Sequence, residues 1–271
     1  MKKTFRIAFI ALMFAFLYAP ILILAFYSFT DASQIGSFQQ FSVANYITLF
    51  TTEEILNMVK GTLLLAIGSA LLATILGTLG AIGSFYSKKG LSSLYNTVNQ
   101  VPVINADVVT GFSICILLVV VFGVSKESYI PLVMGHTVLS APFVYLNVIP
   151  KLKQMDPALY EAALDLGATP ATALFKIVIP QIASGILSGF MLAITLSLDD
   201  YFIATYTKPA TFDTISTYVV NATKGSHTEI KTALWALSTT IFVIVVCVVV
   251  VANLRARQKE VGTLQKEVAV A

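Results

Sequence analysis

Residues 161–180, EAALDLGATPATALFKIVIP, form a water-facing helical stretch inside an otherwise apolar chain. Just upstream, Asp156 can N-cap a helix whose first position is Pro157, where a missing N–H removes nothing from the helix ladder. Leu159, Ala162, Ala163 and Leu166 then recur at i, i+3, i+4 and i+7 as one apolar stripe. Gly167 fits a C′ stop, and Thr169 with Pro170 restarts as N-cap and first turn. Leu174, Ile177 and Val178 give a second short stripe, which Pro180 closes. The pattern predicts two short helices over residues 156–179, between two hydrophobic spans. It is too polar to cross a bilayer and too well capped to be a slack loop.

The composition agrees with a membrane setting. Of 271 residues, 57% are apolar and 11% charged, against about 25% charged in soluble domains. Six apolar stretches, near 7–29, 61–86, 98–122, 130–150, 181–205 and 234–253, reach the roughly 20 residues needed to cross ~30 Å of hydrocarbon. The first follows Lys2, Lys3 and Arg6 as a signal peptide would. Its apolar run exceeds the ~7–15 residues of a signal h-region and no A-x-A site follows, so it reads as a retained helix with a kink at Pro20. Cys115 and Cys247 sit in apolar runs and read as packing residues, without a disulfide framework or metal site.

Charge placement sets the orientation. Lys2, Lys3, Arg6, Lys88, Lys89, Lys151, Lys153, Lys176, Arg255, Arg257, Lys259 and Lys266 fall on one side, which makes 12. Lys60, Lys126, Lys208, Lys224 and Lys231 fall on the other, which makes 5. The positive-inside rule makes the first side cytoplasmic. Both termini and the Glu161 segment are then inside. The expectation is an all-α integral membrane protein of six transmembrane helices.

Glu161-Ala162-Ala163, then Gly167, then Ile177 and Pro180 resemble the EAA loop in permease subunits of bacterial ABC importers, with Ile179 where that family usually has Leu. YAPILIL at 18–24 and TLSLDDY at 195–201 are similar to the permeases of spermidine/putrescine importers, and the resemblance covers nearly the whole chain. It implies the type I importer permease (MetI-like) fold in the bacterial plasma (inner) membrane. It also implies a cytoplasmic coupling helix in which Glu161, Ala162, Ala163, Asp165 and Gly167 dock on an ATPase. Further implied partners are an ATPase dimer that carries the ATP and Mg, a second non-identical permease, and an extracytoplasmic polyamine-binding protein. This chain itself then binds no cofactor.

Three carboxylates lie within spans: Asp107, Asp199 and Asp200. Each costs about 2.5–3.5 kcal/mol at a helix centre on the insertion scale, and such residues mark pathways by default. No Lys or Arg lies deep in a span to neutralise them. A rise of ~1.5 Å per residue puts Asp107 roughly 13 Å from the inner end of its span and Asp199 and Asp200 roughly 25 Å from theirs. That predicts a ladder of stations for a polycation, with Tyr201 as an aromatic face for an ammonium group. Adjacent residues on a helix point ~100° apart, so Asp199 and Asp200 should not both face one cavity. The competing reading has the carboxylates bonded within the bundle to Asn99, Asn105, Asn147 or Tyr201.

Other features are less specific. Ala66, Ala70, Ala73, Gly77, Gly80 and Ser84 let another helix approach closely, either inside this chain or across a subunit interface. Two outward loops, over 31–60 (Phe38, Phe41, Tyr46, Phe50) and 208–231 (Tyr218, His227, Glu229), are surface caps or docking sites. His136 reads as a packed or interfacial histidine, and His227 as solvated. There is no G-x-x-x-x-G-K-[ST], no H-E-x-x-H, no nucleophile elbow and no basic patch for nucleic acid. An ion-coupled carrier of a cationic solute would also use the aspartates, but it has no need of a capped docking helix. A membrane scaffold would use the docking helix but not the aspartates.

Overall fold

The computed structural model describes residues 2–32, 40–224, 232–244 and 246–247. Phe38, His227, Glu229, the part of the 234–253 stretch beyond Cys247 and the charged tail lie outside the described residues. Among the described residues the regular elements are all helices, with one isolated antiparallel bridge, Thr30 to Phe41. In order they form α1 (Lys2–Ser28), α2 (Ala44–Thr51), α3 (Glu53–Tyr86), α4 (Lys89–Ile104), α5 (Asp107–Cys115, continued by a π turn over Ile116–Val121), α6 (Ile130–Gln154), α7 (Ala158–Asp165), α8 (Pro170–Asp199), α9 (Phe202–Thr207), α10 (Ile215–Lys224) and α11 (Thr232–Ile244). Four of these helices, α1, α3, α6 and α8, are long and apolar enough to cross a membrane, or five spans if α4 and α5 count as one.

The chain packs as two compact units. One comprises residues 1–56 and 221–271. In it α1 runs through Pro20 with residues 5–18 exposed. Its C-terminal end is tied down by polar contacts. Ser28 Oγ lies 2.9 Å from Tyr46 Oη, and the Asn45 amide donates to the carbonyls of Ser28 (3.1 Å) and Thr30 (2.9 Å).

The other unit, residues 57–220, is organised around α6. Val144, Tyr145, Val148 and Leu152 are all but fully buried there, against Ala70, Ala73 and Ala81 of α3 and Ile182 and Ala193 of α8. Small residues set these distances. A Cβ on Gly77 would stand 2.7 Å from the Ala141 carbonyl oxygen, and one on Gly185 would stand 2.8 Å from that of Asn147. Ala66, Ala70, Ala73 and Ser84 are buried with Gly77, so much of the small-residue stripe of α3 packs inside this chain. Several helix hydroxyls are satisfied locally: Thr62, Ser69, Thr74, Thr137 and Thr207 each donate to the carbonyl four residues back.

Three elements differ from the sequence expectation. Residues 98–122 do not form one straight span. The chain breaks at Asn105 and Ala106, and α4 and α5 meet at 104°. Pro102 weakens the ladder just before the break, and the Asn105 amide donates to Thr110 Oγ1 across it at 3.0 Å. Second, Pro180 does not close a helix. A π turn over Leu174–Val178 widens the coil immediately before it, which makes room for the proline ring and lets α8 run on. Third, the stretch 181–205 is interrupted after Asp199, where Asp200 is extended (ψ 125°).

Close packing at Gly77 predicts that Gly77→Ala destabilises the isolated chain by about 1–3 kcal/mol through overpacking. Gly83→Ala should be neutral or mildly stabilising, since nothing lies within 4 Å of its added methyl. Apparent melting temperatures in detergent separate the two, and equal losses would count against the α3–α6 contact.

Candidate functional site

The two chain breaks meet at one cavity of about 450 Å³. Pro102 and Val103 reach it from the end of α4, Asp107 from the first turn of α5, and Leu139 and Phe143 from α6. Thr195, Leu196 and Asp199 line it from α8, Asp200 and Tyr201 from the break that follows, and Phe202 from the start of α9. The wall therefore combines three carboxylates with two aromatic rings, Tyr201 and Phe202, packed edge to face at 5.3 Å, and a third ring, Phe143. No Lys or Arg is among its lining residues.

This arrangement replaces the expected ladder at two depths. The bend between α4 and α5 carries Asp107 to the same cavity as Asp199 and Asp200. The helix-angle argument that Asp199 and Asp200 must diverge fails because the helix ends between them. Their environments still differ. Asp107 and Asp199 are exposed, whereas Asp200 is 8% exposed. Its Oδ1 accepts the Ile203 N–H (3.2 Å) and its Oδ2 the Ala204 N–H (2.8 Å), so it caps α9. Those N–H groups would otherwise be orphaned. Among the described residues, no hydrogen bond joins any of the three carboxylates to Asn99, Asn105, Asn147 or Tyr201. Asn147 instead donates to the Phe143 carbonyl.

Helix α9 is held close by glycines. A Cβ on Gly111 of α5 would stand 2.9 Å from Ile203 Cα, and one on Gly135 of α6 would stand 2.7 Å from Ile203 Cγ2. Next to Gly135, His136 is wholly buried. Its Nδ1 lies 2.9 Å from Ser197 Oγ, and its Nε2 lies 3.7 Å from Asp200 Oδ2. Sequence reading gave His136 as a packed or interfacial residue and missed this proximity, because residues 136 and 200 have no shared motif. Among the described residues no cluster of three His, Cys, Asp or Glu side chains could hold a metal ion.

The second candidate element is α7. Asp156 Oδ1 accepts the Ala158 N–H at 2.9 Å and caps its start. Gly167 ends it with φ +84°, a left-handed conformation that suits glycine. The Ala168 N–H donates to the Ala163 carbonyl (3.0 Å) and the Gly167 N–H to that of Leu164 (2.9 Å), the paired bonds of a Schellman stop. Thr169 Oγ1 accepts the Thr172 N–H and starts α8. The apolar stripe does not face the protein: Leu159, Ala162 and Leu166 are exposed, Leu166 at 89%. Glu161, Asp165 and Gly167 are exposed beside them, and Ala163 is half-buried. Tyr160 points inward instead, against the core around Val148 and against Tyr86 of α3, ring centres 5.2 Å apart.

Comparison with known proteins places this architecture. Residues 73–259 match the family described as "Binding-protein-dependent transport system inner membrane component". The putrescine transport system permease protein PotI of Escherichia coli (strain K12) is 30% identical over 240 residues, covering 85% of this chain and 84% of that protein. The spermidine/putrescine transport system permease protein PotC of the same strain is 29% identical over 266 residues, covering 96% of this chain and 97% of that protein. PotC of Haemophilus influenzae (strain ATCC 51907 / DSM 11121 / KW20 / Rd) is 30% identical over 258 residues, covering 93% and 96%. Two crystal structures of a bacterial alginate ABC transporter contain chains of the same fold. Each has a TM-score of 0.71, at 19% and 22% identity, covering 90% and 94% of this chain and 91% and 95% of those. The chain thus belongs to the binding-protein-dependent transport system inner membrane components, as a multi-pass protein of the bacterial inner membrane with the ABC-importer permease fold.

Proposed function

We propose that this chain forms half of the membrane path of an ATP-driven importer of polyamines, spermidine or putrescine. The observation that carries the reading is the cavity of three carboxylates and three aromatic rings with no basic side chain in its wall. A site of that charge is complementary to a flexible chain of ammonium groups. Carboxylates bind the charged nitrogens, and ring faces accept ammonium and methylene groups alike. Asp107 and Asp199 are the exposed ligands, while Asp200 contributes its charge from the wall. The relatives named as putrescine and spermidine/putrescine permeases support the same substrate class.

The remaining parts follow from this role. The chain spans the membrane six times, with both termini and α7 in the cytoplasm. It catalyses no reaction and binds no cofactor. ATP and Mg belong to a pair of ATPase subunits, one of which receives the exposed face of α7 (Leu159, Glu161, Ala162, Asp165 and Leu166). Gly167 fixes the turn that presents that face, and Ala163 packs behind it. A second, non-identical permease completes the path, and an extracytoplasmic binding protein delivers the substrate. ATP-driven closure of the ATPases then biases the cavity between outward and inward openings, which requires that ATP bind the two states unequally.

Uptake of labelled spermidine into proteoliposomes holding the complete importer, with ATP inside and binding protein outside, tests the scheme. ATP-independent uptake driven by a proton or sodium gradient would overturn it in favour of a carrier. In the same assay Asp107→Asn and Asp199→Asn should each raise half-saturation about tenfold, as expected for losing a charge-assisted contact, with ATPase assembly unchanged. Unaltered uptake in both would remove the cavity from the path. Separately, Glu161→Lys and Leu166→Asp should reduce co-purification of the ATPase or its coupling to uptake while leaving the apparent melting temperature of the isolated chain unchanged. Wild-type coupling in both would detach α7 from that role.

A further inference from the structure

Behind the cavity wall lies a buried polar chain that the scheme above does not use. Ser69 of α3, Ser197 of α8 and His136 of α6 are buried, and the chain ends at Asp200. Ser69 Oγ donates to the Leu65 carbonyl at 2.7 Å and lies 3.2 Å from Ser197 Oγ. Ser197 Oγ lies 2.9 Å from His136 Nδ1. His136 Nε2 is buried without any hydrogen-bond partner. The carboxylate oxygen Asp200 Oδ2 lies 3.7 Å from it, just past the ~3.2 Å limit of a hydrogen bond.

The surroundings select the tautomer. A lone pair on Nε2 would face a carboxylate that accepts two backbone N–H bonds, which is repulsive. Nε2 therefore carries the hydrogen, and Nδ1 accepts from the Ser197 hydroxyl. Ser197 thus aims a buried N–H at Asp200 across a gap that a shift of about half an ångström closes. A buried donor left unpaired is costly, so any movement of α6 toward the break after Asp199 is favoured by completing this bond.

We propose that His136 is a positioning residue for the cation site: its Nε2–H is a third donor to Asp200, fixing that carboxylate in the cavity wall as the site contracts around an ammonium group. The proposal rests on the reading of the acidic cavity as a polyamine path. Asp200 thereby keeps its negative charge facing the cavity without itself becoming the exposed ligand, which leaves Asp107 and Asp199 to exchange with substrate.

Two side chains separate the arms of the imidazole. The Asn amide reaches only as far as Nδ1 and can keep the Ser197 contact, whereas Gln reaches to Nε2. Labelled-spermidine uptake is measured in the complete reconstituted importer carrying His136→Asn or His136→Gln, each with and without Asp200→Asn. His136→Asn should raise half-saturation about tenfold, and His136→Gln should recover most of that loss. With Asp200→Asn present, the two His136 variants should transport alike. Equal or better uptake by the Asn variant, or the same Asn-to-Gln difference without the Asp200 carboxylate, would overturn the proposal and leave His136 as packing. If the Asn variant does not assemble, the Gln variant decides alone: half-saturation within about threefold of wild type supports the role, and a tenfold rise rejects it. Asp107→Asn and Asp199→Asn serve as the control on the path itself. If they leave uptake unchanged the path reading fails, whereas their loss of uptake alongside the wrong His136 pattern rejects only the positioning role.

Discussion

The N–H groups of Ile203 and Ala204 donate to the carboxylate of Asp200, and the cavity depends on this pair of bonds. In hydrocarbon, a helix break strands backbone donors that no water can satisfy. A buried carboxylate is equally unwelcome without donors. Each problem answers the other here. The acid supplies the acceptors that allow α8 to stop inside an apolar stretch, and the break supplies the donors that let an acid sit there 8% exposed. Because the chain turns extended at Asp200, Asp199, Asp200 and Tyr201 can all line one cavity, which a continuous helix would forbid.

Much of this was legible in the sequence where a residue type has one dominant use. Asp156, Gly167 and Thr169 marked the ends of α7 and the start of α8, and the bonds they make are the ones capping chemistry requires. The intramembrane aspartates stood out because nothing in an apolar run explains them. The breaks were not legible, because hydropathy sees 98–122 and 181–205 as unbroken. The signals were local and polar: Asn105 and Asp107 after Pro102 in one case, and an aspartate able to cap the following turn in the other. Pro180 misled for the opposite reason. Its usual effect is cancelled by a wider turn, and no periodicity announces a π turn. The exposure of α7 agrees with its reading as a water-facing segment, although the apolar stripe of Leu159, Ala162 and Leu166 would by itself read as core.

A continuous set of contacts runs from α7 to the cavity. Tyr160 packs on Tyr86 and on the core around α6. Within that core the Tyr145 hydroxyl donates to Asn96 Oδ1 and lies 3.0 Å from Ser84 Oγ, fastening α6 to the end of α3 and the middle of α4. Helix α4 then carries Pro102 and Val103 to the cavity wall. The path consists of aromatic packing and buried hydrogen bonds, which have discrete arrangements and do not stretch. These contacts join α7 to α4 and, through it, to the bend at residues 105–106.

The π turn at Leu174–Val178 bears on chain length rather than on chemistry. A π turn accommodates more residues than an α turn of the same helix. Deleting one residue within it would restore ordinary helix pitch and leave the residues beyond nearly in register, whereas deleting one elsewhere before Ala193 would turn everything beyond by about 100° about the axis. Ala193 and Ser197 would leave their buried seats, and Asp199 would swing off the cavity. Between Pro170 and Ala193 the π turn is therefore where the loss of one residue disturbs the cavity least, while elsewhere along α8 the number of residues is fixed by the register of the buried face.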